Sequence, residues 1–275
     1  MFQHKMSINF SRNRAQLFYE NLIGAAPEDL INMREEFKNH MLTINEAEQL
    51  KTLLNKDAVD FFYNGVLSFS EGIDAVFQKR FSWATIKLYY AVYYLIRATL
   101  ASKEIAILRC RSMFRLVARA GEKPYGSTNR KYNTTHEGTI NHYRDMFNFS
   151  DRLLSNKIED NDAYEWLMNA REIVNYRSVS FSEPDCLEIW DYFSHCIDEG
   201  TLSNALSELE TDSYIMCFQE EYAVVAIPIK RMQQTIVDML TSGILQNLSE
   251  DRTLFLKSVI GYDERSLSVL SEIFT

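Results

Sequence analysis

The chain has 275 residues, 46% hydrophobic and 24% charged, the composition of a folded protein long enough to bury its own core. Nine glycines and four prolines fall well below the usual share, which excludes a turn-rich all-β fold and favours long helices. With 29 Lys and Arg against 38 Asp and Glu the net charge is −9, so the whole chain is not a basic nucleic-acid module. Four cysteines without a CxxC spacing offer no zinc ribbon or disulfide framework and suit reduced thiols in the cytoplasm.

The opening MFQHKMSINFSRNRAQLF has no apolar run of signal-peptide length. Residues 27–54 predict one or two helices, with Pro27 in a first turn and acids beside it. From Asp57 to Lys79 the apolar residues Val59, Phe62, Val66, Phe69, Ile73 and Val76 recur in steps of three and four, a continuous helix stripe that Asp57 is placed to cap. Gly65 and Gly72 lie near one face, where they would let another helix approach. Residues 82–102, SWATIKLYYAVYYLIRATLAS, are apolar nearly all round and predict a central helix. Lys87 and Arg97 argue against a bilayer span, because a charge at its centre costs about 2.5–3.5 kcal/mol. Tyr89, Tyr90, Tyr93 and Tyr94 argue the same way, since their hydroxyls need partners.

Residues 103–120 predict a third, basic helix, followed by the polar loop GEKPYGSTNRKYNTTHEG. Helices are predicted over 137–155, 161–179 and 184–197, the last with Leu187, Trp190 and Phe193 or Tyr192 on one side. YIMCF (214–218) and YAVVAI (222–227) predict a small β-hairpin ended by Pro228. Helices follow from Ile229, over 249–258 and over 263–273. The expected fold is mainly α: a helical domain over 1–200, then a small α+β subdomain over 201–275 carrying the hairpin.

Charge is segregated along this chain. Lys103, Arg109, Arg111, Arg115, Arg119, Lys123, Arg130 and Lys131 face only Glu104 and Glu122 within 103–131, whereas 178–229 holds eleven acids and no Lys or Arg. Arg111, Arg115 and Arg119, four apart, would share a helix face. The basic segment suits phosphate or an acidic protein, and the same segregation also suits two segments that face each other or two solvated faces.

No phosphate loop is present: GEKPYGS (121–127) lacks the Lys before its serine. GxGxxG, GxSxG, HExxH and EF-hand patterns do not occur, and His136 and His142, six apart, do not converge on a metal as an i,i+4 pair would. No cofactor is implied.

The aromatic helix FSWATIKLYYAVYYLIRATLAS (81–102), with THEGTINHYRDMF (135–147) and EWLMNAREIVNYRSVSFSEP (165–184), resembles the HEPN superfamily of α-helical bundles over residues 55–185. Many members are metal-independent ribonucleases that pair an Arg with a His one or two helical turns on. The likeness places that motif at AREIVNYRSVSF, where Arg171 and Asn175 are present but Tyr176 or Arg177 holds the histidine's place. A tyrosine hydroxyl is too weak an acid to substitute at neutral pH. The strings Arg34–His40 and Arg130–His136 lie outside that helix. EEYAVVAIPIKRMQQTIVDMLTSGIL (220–245), appended to such a body, is similar to the small middle subunits of bacterial ABC-three-component anti-phage systems of the Lamassu kind. These resemblances imply a non-catalytic subunit bridging an SMC-like ATPase and an effector nuclease; from the residues themselves, the basic helix would allow DNA contact, the reduced thiols suit the cytoplasm, and no membrane contact is expected. The alternatives are a ribonuclease using Arg171, Asn175, Tyr176 and Arg177, or Arg130 with His136, and a general helical interaction module.

Overall fold

The computed structural model describes residues 12–26, 29–260, 267–271 and 273, so the expected first-turn role of Pro27 and the start of the 263–273 helix lie outside the described residues. The chain is mainly α-helical with a small antiparallel sheet of three strands.

The longest helix begins at Thr43. Its hydroxyl accepts the Glu46 N–H (3.3 Å), and the Glu46 carboxylate accepts the Thr43 N–H (2.7 Å), which together form a capping box. Preceding it are α1 (Arg14–Leu22) and the short α2 (Arg34–Asn39); α3 (Ile44–Phe77) then runs without a break. The helices expected to end at 54 and to begin at Asp57 are therefore one. Asp57 is buried in the middle of α3 and caps a different helix: its carboxylate accepts the N–H groups of Arg14 and Ala15 (2.9 Å each) at the start of α1. Asp57 makes the type of bond expected of it, on a neighbour that only the tertiary fold supplies.

A tight turn leads into α4 (Phe81–Ser102). A Cβ added at Gly65 would lie 2.9 Å from Leu95, and one at Gly72 the same distance from Leu88. The two pairings run in opposite senses, so α3 and α4 are antiparallel. The glycines allow the close approach read from their spacing. The start of α4 is capped from far along the chain, where the Glu183 carboxylate accepts the Ser82 N–H and hydroxyl, both at 2.7 Å.

Residues 103–120 are not a helix. They form the hairpin β1 (Ile105–Cys110) and β2 (Ser112–Val117), extended by β3 (Tyr125–Gly126) in the order β1-β2-β3. Register pairs Ile107 with Arg115 and Arg109 with Met113, leaving Arg111 alone between the strands. A spacing of four keeps side chains together on a helix face, and because four is even it also keeps them on one face of a strand. Arg115 is on β2, but Arg111 is the turn residue outside both strands, at φ 64°, so the spacing does not bring the two together here. Arg119 lies beyond β2, exposed. The other face, with Ala106, Leu108, Cys110, Phe114 and Leu116, is buried.

α5 (Thr135–Phe147) and α6 (Ala163–Glu172) follow, α6 running on into a π-helical turn over Ile173–Arg177. Then come α7 (Asp191–Asp198), α8 (Leu202–Thr211) and α9 (Glu220–Thr241), with α10 (Glu250–Ile260) and α11 (Ser268–Ser271) last. The expected hairpin at 214–227 is a second correction. Met216–Phe218 is a 3-10 turn, and YAVVAI opens α9, with Pro228 inside the helix. Ala223, Val224, Val225, Ala226 and Ile227 are all essentially inaccessible, because α9 packs along α4. A short apolar run buried on every side has no period that separates strand from helix. The β part therefore lies within 105–126, and the described residues after 200 are helical or irregular. One apolar cluster runs through both sides of residue 200, from Ala15 to Ile273. Among the described residues no helix is long and apolar enough to cross a membrane.

Candidate functional site

The tyrosines of α4 organise a cluster. Their i, i+1, i+4 and i+5 spacing puts Tyr89, Tyr90 and Tyr93 round the imidazole of His136, which the first turn of α5 carries. His136 stacks on Tyr93 at 4.3 Å between centroids and on Tyr89 at 5.7 Å, and meets the edge of Tyr90 at 5.5 Å. Its Nδ1 lies 2.9 Å from the Tyr89 hydroxyl. Burial raises the Tyr89 hydroxyl above its usual range, so the phenol keeps its proton; which of the two groups donates in this bond is set by the imidazole's tautomer.

Behind Tyr89 stands Arg171, at the end of α6 and 5% exposed. Its guanidinium lies over the Tyr89 ring (4.7 Å) and the Tyr176 ring (5.3 Å), with Glu172 at 3.6 Å, and its buried Nε has no partner among the described residues. Burial first, then the positive charges of Arg171 and Arg97, push His136 down to about 4. The ring is therefore neutral at pH 7.

This has a consequence for stability. In an unfolded chain His136 takes up a proton near pH 6.5, whereas in the folded chain it does so only near 4. Between those values the unfolded state binds more protons, so stability falls as the pH drops from about 6.5 towards 4. His142, fully buried with its Nε2 3.1 Å from the Met113 carbonyl, is also held down by burial and adds to the same slope. Urea denaturation at steps between pH 7 and 4.5 is expected to show this fall, and His136→Asn should flatten it. An unchanged slope in that variant would show that the ring is not held neutral.

Beside the cluster opens a cleft of about 470 Å³ between α1, α4, α5 and the hairpin. Tyr93 and Arg97 of α4 line it, with Arg109 and Arg111 of the hairpin, Arg12 and Thr135. Arg12 is paired with Glu20. Arg97 lies over the Phe61 ring at 3.8 Å, and Arg109 donates to the Thr135 hydroxyl at 3.1 Å. Among the described residues Arg97, Arg109 and Arg111 have no carboxylate partner. Arg111 sits at φ 64°, a left-handed conformation that costs an L-residue roughly 1–2 kcal/mol.

The sequence-predicted site residues are thus partly brought together. Arg109 and Arg111 share the cleft. Arg115 points to Asp145 (3.1 Å) and over Tyr125 (4.2 Å). Lys123 lines a separate cleft, and Lys131 pairs with Glu165 at 3.6 Å. Arg130 is exposed on a 3-10 turn, and among the described residues no hydrogen bond or ring contact joins it to His136. The cations acting on His136 are Arg171 and Arg97, each from another helix. Asn175, Tyr176 and Arg177 lie exposed on the π-helical turn, Arg177 paired with Glu172 at 3.5 Å. Sequence reasoning missed Arg97 and Tyr93 as cleft residues; the signal was an arginine on a largely apolar helix with a tyrosine one turn before it. All four cysteines are free thiols, and among the described residues no group of three or more His, Cys, Asp or Glu side chains converges as a metal site. No known protein family, curated protein or solved structure matches the chain.

Proposed function

We propose that this protein works by binding rather than by turnover, as an accessory subunit that holds an anionic partner in its arginine-lined cleft. The observation that carries the reading is the set of three cleft arginines without carboxylates, in a chain of net charge −9. Guanidinium groups left uncompensated at an opening are suited to phosphate or carboxylate. The neighbouring imidazole, neutral and already hydrogen-bonded at Nδ1, is poorly matched to proton transfer near pH 7. The likeness of 81–102 and 220–245 to HEPN-like and Lamassu-type chains suggests the setting: a bacterial anti-phage complex with an SMC-like ATPase and an effector nuclease. Affinity purification of the full chain from its native cell is expected to bring down an ATPase and a nuclease, and Arg109→Glu with Arg111→Glu should release them. A chain that elutes alone overturns the proposal.

One arrangement favours a second reading, a metal-independent ribonuclease: His136 and Arg171 flank the same Tyr89 ring. A phosphate bound in the cleft would raise the imidazole's pKa towards a useful range. Cleavage of RNA by the purified chain, lost in both His136→Ala and Arg171→Ala while the variants stay folded, would establish it; no cleavage by the native chain would remove it.

A further inference from the structure

A second cleft, of about 540 Å³, lies on the other side of the hairpin. Arg34, Lys38 and Lys123 line it, with Ser112, Phe114 and the half-exposed Tyr125. The two clefts share two walls. One is the hairpin, whose Arg109, Arg111 and Met113 line the first cleft while Ser112 and Phe114, on the opposite face of the sheet, line the second. The other is the segment 30–39, with Leu30 and Ile31 in the first cleft and Arg34 and Lys38 in the second.

Charge connects them. No Asp or Glu among the described residues lines either cleft, although the chain has 38 of them. Lys38 is paired with Glu35 at 3.2 Å, whereas among the described residues Lys123 has no carboxylate partner and the buried Nε of Arg34 has none of any kind. The linings also carry uncharged polar side chains, Asn13 and Thr135 at the first cleft and Asn39, Thr128 and Asn133 at the second. Arg111, the residue between the strands, stands at the crossing in its strained backbone conformation.

We propose that these two clefts are one track, which takes a single nucleic-acid strand running along the first cleft, round the hairpin tip at Arg111 and Ser112, and into the second. The inference rests on the anionic-occupant reading above and names that occupant. A repeating anion needs cations at intervals along a path, with a flat ring for a base; the half-exposed Tyr125 supplies that ring in the second cleft, while Tyr93 in the first is buried against His136 and contributes only to the wall. A duplex presents its phosphates on a stiff convex cylinder and does not fold round a hairpin tip into clefts on both faces of a sheet. A single strand bends freely enough to do so.

The test uses the full chain and fluorescence anisotropy with labelled oligouridylates of roughly 4 and 12 nucleotides, lengths that bracket binding to one cleft and to both. The longer strand is expected to bind about tenfold tighter or more, since a second cleft engaged by a tethered segment adds avidity. Arg109→Ala with Arg111→Ala, and separately Arg34→Ala with Lys123→Ala, should each weaken the longer strand. Each pair should also lower the slope of log affinity against log salt by about 1.4, two phosphate contacts at roughly 0.7 each. Lys157→Ala, at an exposed site away from both clefts, should change neither. Circular dichroism checks that the variants fold, with Arg34→Gln and Lys123→Gln as the milder pair. Equal binding of an RNA duplex, or a longer strand indifferent to the Arg34 and Lys123 changes, overturns the track. If a polyglutamate peptide binds and the oligonucleotides do not, the strand is wrong while the anionic-occupant reading stands; if none of them binds, both fall.

Discussion

Replacing Arg231 by alanine is expected to destabilise the fold by about 3–5 kcal/mol, the cost of stranding a buried charge whose partner is removed. Arg231 projects from α9 and is 1% exposed. One terminal nitrogen donates to the Tyr143 hydroxyl (2.6 Å) and lies 3.4 Å from Asp151; the other donates to Thr99 (3.0 Å) and lies 3.4 Å from Asp238. Its Nε donates to Thr235 at 3.1 Å, so every nitrogen of the guanidinium has a partner. These partners come from α4, α5, α9 itself and the turn after α5. Tyr164 of α6 also donates to Asp151, and burial raises the Tyr143 and Tyr164 hydroxyls above their usual range, so both remain donors. Without the arginine, the Asp151 carboxylate would be left nearly inaccessible with no cation. Arg231→Met keeps much of the volume and should cost nearly as much. Adding Asp151→Asn to it should recover part of the loss, because the two sites are coupled. Urea titration measures all three, and a single-variant loss below about 1 kcal/mol would contradict the account.

Trp190→Ala should cost a similar amount, about 3–5 kcal/mol, by leaving a large cavity. Trp190 sits on a 3-10 turn just before α7 and is 1% exposed. Its ring stacks on Phe81 at 5.0 Å between centroids and meets the edge of Phe193 at 5.8 Å, and its indole N–H donates to the Thr85 hydroxyl at 2.9 Å. It thereby fastens the 184–198 segment to the first turns of α4. Trp190→Phe keeps a stacking ring and should lose mainly the hydrogen bond, about 1 kcal/mol. Thermal unfolding followed by circular dichroism distinguishes the two. Equal effects of alanine and phenylalanine would show that the bond to Thr85, and not the packed ring, holds the segment.

How much was legible in the sequence varied by element. The stripe from Val59 to Val76 and the all-round apolar run at 82–102 carry a helical period or a length that no strand could hold, and both are helices. The glycine pair was legible because a seven-residue interval is two turns of one face. At 103–120 and 222–227 the residues carried less. IAILRC and SMFRLV became strands, and YAVVAI became a helix, although the last is richer in β-branched residues than either. What separates them is the neighbours they meet: YAVVAI lies along α4 within a long helix, whereas IAILRC and SMFRLV, nearly as buried, pair with each other across the turn at Arg111. The site was legible as residue types and not as pairs. His136 and Arg171 were both singled out, each with partners near in sequence, and the fold joins them across 35 positions through Tyr89.

The sequence by itself determined that this chain is mainly helical, that the helices α3 and α4 meet at a tight turn, and that its positive charge gathers between Lys103 and Lys131. Those properties are local, set by period, capping chemistry and composition within a few turns of chain. Only the tertiary structure decided which runs would be strands, that Asp57 caps a neighbouring helix, and that Arg97 joins Arg109 and Arg111 at one opening. Those outcomes depend on which faces are shut off from water and which side chains meet across distant segments, and neither follows from spacing along a single stretch of chain.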